Sequence, residues 1–447
     1  MTNPQTEPAT PECDHVSAGV GPVGRRLARR SLLAAVPAAV AAPLVGCTNR
    51  ASGDASPGSP VALTYGIWDA AFKPGLEKVI AEFNKVEPDI TVDVQPITGD
   101  EYWTKMQAAA TAGTAPDVFW MNEPHFLEYA IHDQLTPLSE LIEADGVDVS
   151  KFPPGLIEAY QVDGEQYALP WITAMVGLWY NKSLFDRHRV GYPDDSWTWD
   201  SVRDAAAELT DKGSGVYGIA AAMSNQLNYY NTILQAGGFI ISDDLKQSGF
   251  GEPEGVEGIQ FWVDFIENGT SPTHQQMTDT DPSQLFQSGK LGMFYGGSWD
   301  AGTFSEVDAI ADTVAVAELP RGKQRGTTVQ GASNVIYAKS AHPGEAWKLV
   351  KFLESEQAQT IQAETGIVLP AYAGTQEPWV QSVPEYDLGN LVDQLEYASP
   401  YPHSQNTAAW QTEQTKCLTP AWTLKEDVGT ACRKLADAMN AVLAEEK

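Results

Sequence analysis

Basic side chains are scarce in this sequence: 28 Lys and Arg stand against 59 Asp and Glu in 447 residues, a formal charge of −31. Binding a phosphate backbone or anionic lipid needs clustered Lys and Arg, so the balance argues against nucleic acid and acidic membrane surfaces as partners. Because 43% of the residues are hydrophobic, the acidity signals solubility rather than disorder. Histidine is thin as well, with seven scattered residues, no H-E-x-x-H, and His125 and His132 seven apart. A zinc site would have to be assembled from distant parts, and these histidines read as surface or loop residues. The glycine-flanked serines of "GGSWD" (296–300) and "GASNV" (331–335) do not complete G-x-S-x-G. No glycine-rich loop carries the lysine and hydroxyl of a phosphate-binding loop, and no G-x-G-x-x-G follows a strand. Nucleophilic catalysis and nucleotide binding therefore lack support, and no metal or cofactor is expected. No fixed-period repeat is visible.

Long apolar runs are missing too. Arg25, Arg26, Arg29 and Arg30 precede the uncharged stretch Ser31 to Gly46, which at 16 residues with two prolines is too short to span a bilayer comfortably. Residues 1–46 read as a cleaved export signal. Leu44-Val45-Gly46-Cys47 resembles a bacterial lipobox, in which the cysteine is lipidated and becomes the mature first residue. Arg29-Arg30 followed by Ser31, Leu32 and Leu33 resembles a twin-arginine signal, with the general secretory route as the alternative. Acyl chains contribute about 0.8 kcal/mol per buried methylene, enough for two or three of them to hold a protein on a membrane without a spanning helix. Residues 47–60 then form a flexible tether, and the working part stands outside the cell, lipid-anchored to the cytoplasmic membrane. Of four cysteines, Cys417 and Cys432 lie beyond this region, in two helical stretches joined through "TPAWTLKEDVG". Either a disulfide formed outside the cell or two buried thiols fits that placement.

From Pro60 the chain alternates between strand and helix. "VALTYGIWD" (61–69) is β-branched and aromatic, and Leu76, Val79, Ile80 and Phe83 follow at helical spacing before Pro88. Ile90, Val92 and Val94 alternate with polar residues, Asp100 caps a helix running to Gly113, and "APDVFWMNE" (115–123) supplies a third strand. Strands separated by single helices need crossover connections, hence an α/β fold with a largely parallel sheet. The ligand crevice of such a sheet lies beyond the carboxyl ends of its strands. Trp68 and Asp69 close the first strand, and Trp120, Asn122 and Glu123 close the third, so both clusters fall on one edge. Downstream, Thr198 caps a helix with Trp197 and Val202 as its hydrophobic staple. The helix "EGIQFWVDFIENG" places Ile259, Trp262, Phe265 and Ile266 on one stripe. Trp197, Trp262 and Trp347 are therefore expected to be structural.

Aromatic rings beside uncharged or acidic hydrogen-bonding groups are abundant. A sugar ring offers an apolar C–H face to an aromatic ring and a rim of hydroxyls that carboxylates and amides can read. Trp with Asp, Asn or Glu suits that ligand.

The ordered motifs "GIWD", "GTAPDVFWMNE", "ALPW…GLWYNKSLF", "YPDDSWTWD", "GVYGIAA", "QLFQSGKLGMFYGGSWD", "HPGEAWKLVKFL" and "NTAAW" resemble the extracellular sugar-binding proteins of ATP-binding-cassette importers, the group that includes maltose-binding protein. The likeness covers essentially all of residues 60–447. It implies a two-lobed periplasmic-binding-protein-like fold of type II, each lobe a mainly parallel sheet flanked by helices, joined by several chain crossings. The implied lobes are 61–174 with 328–372, and 175–327 with 373–447. The resemblance also implies ligand contacts at Trp68 and Asp69, at Trp120 to Glu123, at Trp299 of "GGSW" and at Trp410 of "NTAAW". Asn225, Gln226 and Tyr229 of "NQLNYY" and Asn334 of "GASN" are weaker candidates. Where many relatives carry an acid after "LP", this chain has "WITAM" (171–175), so Trp171 or Thr173 takes over that wall of the cleft.

The implied function is a monomeric carrier that holds a mono- or oligosaccharide and delivers it, unaltered, to the importer's permease subunits. A secreted glycoside hydrolase is the main rival, with an acid pair drawn from Asp69, Glu123 and Asp300. A lipoprotein that recognises surface polysaccharide without transport is a third reading.

Overall fold

The computed structural model describes residues 60–97 and 101–446. The expected export signal, Cys47, the tether up to Ser59 and the Asp100 cap lie outside the described residues. Among those described, no helix is long and apolar enough to cross a membrane.

Strand β1 (Val61–Ile67) buries Leu63, Tyr65 and Ile67 at every second position, the period of a strand with a core on one face. Helix α1 (Lys73–Val86) opens with a proline in its first turn and buries Leu76, Val79, Ile80 and Phe83 along one stripe. Next come β2 (Ile90–Pro96), α2 (Glu101–Ala112), β3 (Val118–Asn122) and α3 (Glu123–Ile131). Both β2 and β3 pair with β1 in parallel, placing Val94 and Val118 on either side of Tyr65. After a small hairpin, β4 (Ala168–Ala174) runs through Met175 directly into β5 (Val176–Asn181).

A second sheet begins with β5. It is followed by α4 (Trp199–Leu209), β6 (Tyr217–Ile219), α5 (Tyr230–Gln235), α6 (Pro253–Glu267), β7 (Leu291–Gly297), α7 (Asp300–Ser305) and β8 (Val314–Ala317). The chain then returns through the ten-residue strand β9 (Thr327–Ile336) to α8 (Pro343–Leu353), and ends with β10 (Ala398–Pro400), α9 (Thr407–Trp422) and α10 (Val428–Leu443). The first sheet has the order β10–β9–β3–β1–β2, with β4 also on β9, and the second β8–β5–β7–β6. Each sheet has its own hydrophobic core, one centred on Tyr65, Trp120 and Trp171 and the other on Trp179, Trp262 and Tyr295.

The first sheet is mainly parallel, as expected, through the pairs β1–β2, β1–β3 and β9–β10, while the second is mainly antiparallel. β9 runs antiparallel to β3 and β4, and in the second sheet β5 is antiparallel to both β7 and β8, leaving β6–β7 as its parallel pair. The cause is the connectivity: a strand returning from the other sheet enters from the opposite end to one reached through a local crossover helix. Among the described residues the chain passes between the cores at Met175, at the start of β9 and near Pro370, where Thr173 N donates to Leu369 O at 2.9 Å.

Local signals were followed closely. Thr198 caps α4 in a reciprocal arrangement with Ser201, and Val202 is fully buried. Trp197 is half-buried against the second core. Trp262 is wholly enclosed and donates Nε1–H to Thr232 Oγ1 at 3.1 Å, and Trp347 does the same to Asp145 Oδ2 at 2.8 Å. Cys417 and Cys432 correct the disulfide expectation: both are free thiols. Cys432 is sealed in the core of the second sheet, where it packs as a small apolar side chain, and burial pushes its thiol up to about 12. Cys417 only edges the same core.

Because Trp262 fills its site completely, Trp262→Ala is expected to lose about 3–5 kcal/mol of stability in urea melts. The half-exposed Trp197 should lose markedly less on the same change. Equal losses would contradict the assignment of Trp262 to the core.

Candidate functional site

The ends of β1 and β3 open on a cleft of about 440 Å³ lined by segments adjoining both sheets. From the first sheet come Trp68, Asp69, Phe72, Tyr102, Trp103 and Asn122, and from the second come Gln226 and Trp299. Its floor is strand: Ile172 and Ala174 of β4, and Gln330, Gly331 and Ala332 of β9. Asp69 is the one carboxylate among these residues, and no Lys or Arg is present.

On the first wall the rings are held from below. Trp68 packs its ring on Trp120 at 4.8 Å between centroids and 72°, on Tyr102 at 5.5 Å and 84°, and beside Trp103 at 5.8 Å. Trp103 lies flat on His125, 3.7 Å away with 6° between planes. His125 Nδ1 bonds Asn122 Oδ1 at 2.8 Å, and burial brings the imidazole down to about 4, so the ring is neutral and donates. Asp69 Oδ1 accepts from Ala71 N at 2.9 Å and caps the turn that leads into α1.

The second wall depends on the pair Gly296-Gly297. A methyl group on Gly297 would come within 2.3 Å of the Trp299 ring, so the indole lies directly on the glycine backbone. Asp300 Oδ2 accepts from Gly297 N at 2.8 Å and fastens the turn, and burial pushes this carboxyl up to about 7. Gln226 is presented by a π-helical turn, Asn225–Tyr229.

Five of the sequence candidates therefore line the cleft: Trp68, Asp69, Asn122, Gln226 and Trp299. The others are corrected for this conformation. Trp120 is fully buried beneath Trp68 and donates Nε1–H to Tyr65 Oη at 2.7 Å. Asn334 accepts from Tyr65 Oη at 2.6 Å and donates to Glu354 at 2.8 Å, with no exposed surface. Trp171 and Thr173 point away because side chains alternate along β4, which turns Ile172 and Ala174 to the cleft instead. Tyr229 is buried and donates to Gln414 Oε1 at 2.9 Å; Trp410 is buried and donates to Ser404 Oγ at 2.8 Å. Asn225 is half-buried, outside the lining, with Oδ1 accepting from Gln226 N at 2.7 Å. Glu123 is buried: Oε1 accepts from Gly331 N at 2.7 Å, while Oε2 has no partner.

Sequence reading missed Trp103, Tyr102 and the cleft-facing Gln330, Gly331 and Ala332 of β9, where it named the buried Asn334 instead, and placed His125 on the surface or in a loop. The signal for the first two was present in "EYWTK", an aromatic pair opening the helix that leaves β2 on the cleft edge.

Residues 69–360 match the family model described as bacterial extracellular solute-binding protein. This chain belongs to that family. It is a solute-binding protein rather than an enzyme, and its fold is the two-lobed type II arrangement. A binding protein of Brucella abortus is 25% identical over 320 residues, 69% of this chain and 75% of that protein. The maltotriose-binding protein of Pyrococcus abyssi is 28% identical over 297 residues, 64% of this chain and 62% of its own length. Among solved structures, the ABC substrate-binding protein of Listeria monocytogenes in complex with cycloalternan matches with a TM-score of 0.81 and 26% identity, covering 86% of this chain and 100% of that one.

Burial raises the Glu123 carboxyl from its ordinary 4.5 to about 8 in this solute-binding protein. A group whose folded value is raised gives its full stabilisation below the unfolded value and loses it as pH climbs through the folded value. Thermal melts from pH 5 to 9 should thus fall more steeply for the natural protein than for Glu123→Gln, which mimics the protonated form. Parallel profiles would contradict a buried protonated carboxyl.

Proposed function

We propose that this solute-binding protein captures a mono- or oligosaccharide between its lobes and delivers it to the permease of an ATP-binding-cassette importer. The observation that carries the reading is the cleft itself: Trp68 and Trp103, which pack on the first core, stand against Trp299, which follows strand β7 of the second sheet, around Asp69, Asn122, Gln226 and Gln330. Rings supply faces for the C–H side of a pyranose, and amides and a carboxylate supply partners for its hydroxyls. A volume of about 440 Å³ falls within the range of small-molecule sites. The saccharides named for the Pyrococcus and Listeria relatives support the same class.

The moving parts are the lobes 61–174 with 328–372 and 175–327 with 373–447. A ligand that touches both walls stabilises a closed form through contacts absent from the open one, and closure is the signal to the permease. Cys47 anchors the mature monomer to the outer face of the cytoplasmic membrane through its acyl groups, with residues 47–60 as the leash. A hydrolase would need two carboxyl groups about 5–9.5 Å apart facing the substrate. Of the three acids considered for that role, Glu123 and Asp300 are buried against backbone amides, which leaves Asp69 alone at the cleft.

A micromolar dissociation constant corresponds to about −8 kcal/mol, within reach of two or three stacked rings and several hydroxyl hydrogen bonds. A thermal-shift panel of mono- and oligosaccharides, with maltotriose as its first member, should give at least one stabilising sugar. For that sugar, Trp68→Ala and Trp299→Ala should each weaken binding by about tenfold or more in calorimetry, and prolonged incubation should return it intact. A flat panel, unchanged affinity in both variants, or a shortened sugar would each overturn the reading.

A further inference from the structure

The wall residue Gln226 is carried on the π turn Asn225–Tyr229, a rare conformation frequently found at functional sites. The residue that holds this turn is Asn231, on the first turn of α5, which has no exposed surface and does not line the cleft. Its Nδ2 donates to the carbonyls of Gln226 at 2.8 Å and Leu227 at 3.0 Å. Its Oδ1 faces the other way and accepts from Thr328 N at 2.9 Å and from Thr327 Oγ1 at 3.2 Å. Thr327 and Thr328 are buried in the first residues of β9, where the chain crosses from one core to the other, and the next residues of that strand form the cleft floor.

We propose that Asn231 is a positioning residue that couples the seating of ligand at Gln226 to the β9 crossing between the lobes. The inference rests on the reading of the cleft as the ligand site, and deepens it by naming how one wall is linked to the hinge. Both ends of one buried amide are in use. Moving the turn without the strand, or the strand without the turn, would strand a buried donor or acceptor, so the two shift together. Ligand pressing on Gln226 then biases the conformation of β9, and a change in β9 repositions Gln226, as reciprocity between linked equilibria requires.

Hydrogen exchange on the ligand-free protein tests the coupling without knowledge of the sugar, so a failed saccharide screen and a failed coupling remain separate results. Ser224 Oγ accepts from Leu227 N at 3.2 Å and caps the turn, so Ser224→Ala loosens it. With Asn231 present, the Thr328 amide should then exchange faster by about threefold or more, within the range for neighbours in one hydrogen-bond network. In an Asn231→Leu background the same Ser224→Ala change should leave Thr328 exchange where it was, while the turn itself still loosens. If Asn231→Leu does not fold, Asn231→Ser, too short to reach the turn and the strand at once, takes its place in the cycle. An equal increment in both backgrounds, or none with Asn231 present, would overturn the proposal.

Discussion

Trp68 rests against the buried ring of Trp120, and the first wall of the cleft is built on that contact. Trp120 cannot yield: its Nε1–H is committed to Tyr65 Oη, and Phe72 meets it edge to face at 5.1 Å. Trp103 is backed in the same manner by His125, and Trp299 by the backbone of Gly297. The three rings are thus set by packing before any ligand arrives. Ordering a free side chain on binding costs about 0.5–1.5 kcal/mol, so preset rings leave more of the stacking energy as affinity. Trp68 and Trp103 pack on the first core, whereas Trp299 follows strand β7 of the second sheet, so the rings around the cleft come from both sheets.

Beneath the rings lies polar structure that does not face the cleft. Tyr65, Asn334, Glu354 and Gln359 form a connected chain of hydrogen bonds from the underside of Trp120 to the C-terminal end of α8. Burial holds the Glu354 carboxyl well above the usual carboxylate range, in a chain whose net charge is already −31. Glu123 and Asp300 sit in comparable places, each fastening a backbone amide next to the cleft. Acidic residues that looked available for chemistry act instead as internal fasteners. Burial shifts each of these carboxyls toward its protonated form, which lowers the cost of keeping it out of water.

The legible part of this molecule was local. Caps and apolar stripes placed α1, α4 and α6, and the rule for strand ends placed Trp68, Asp69 and Asn122 at the cleft, because each depends on a few neighbouring residues. What failed turned on single-residue choices of face. Trp171 and Ile172 are adjacent, and which one meets the cleft is set by the pairing register with β9, which local sequence does not specify. Trp68 and Trp120 look equivalent as strand-end indoles, yet one covers the other. The parallel pairing of β1 with β2 and β3 was legible, but the antiparallel entry of β9 was not, because that strand arrives from the far core. On the second wall, Trp299 and Gln226 were legible through family resemblance alone, since nothing local distinguishes a cleft indole from a core one.

Small-angle X-ray scattering, recorded with and without a saccharide already shown to bind, tests most directly whether the two aromatic walls close on their ligand. Closure around the bound sugar predicts a smaller radius of gyration at saturation. An unchanged scattering curve with the cleft fully occupied would contradict the two-walled clamp.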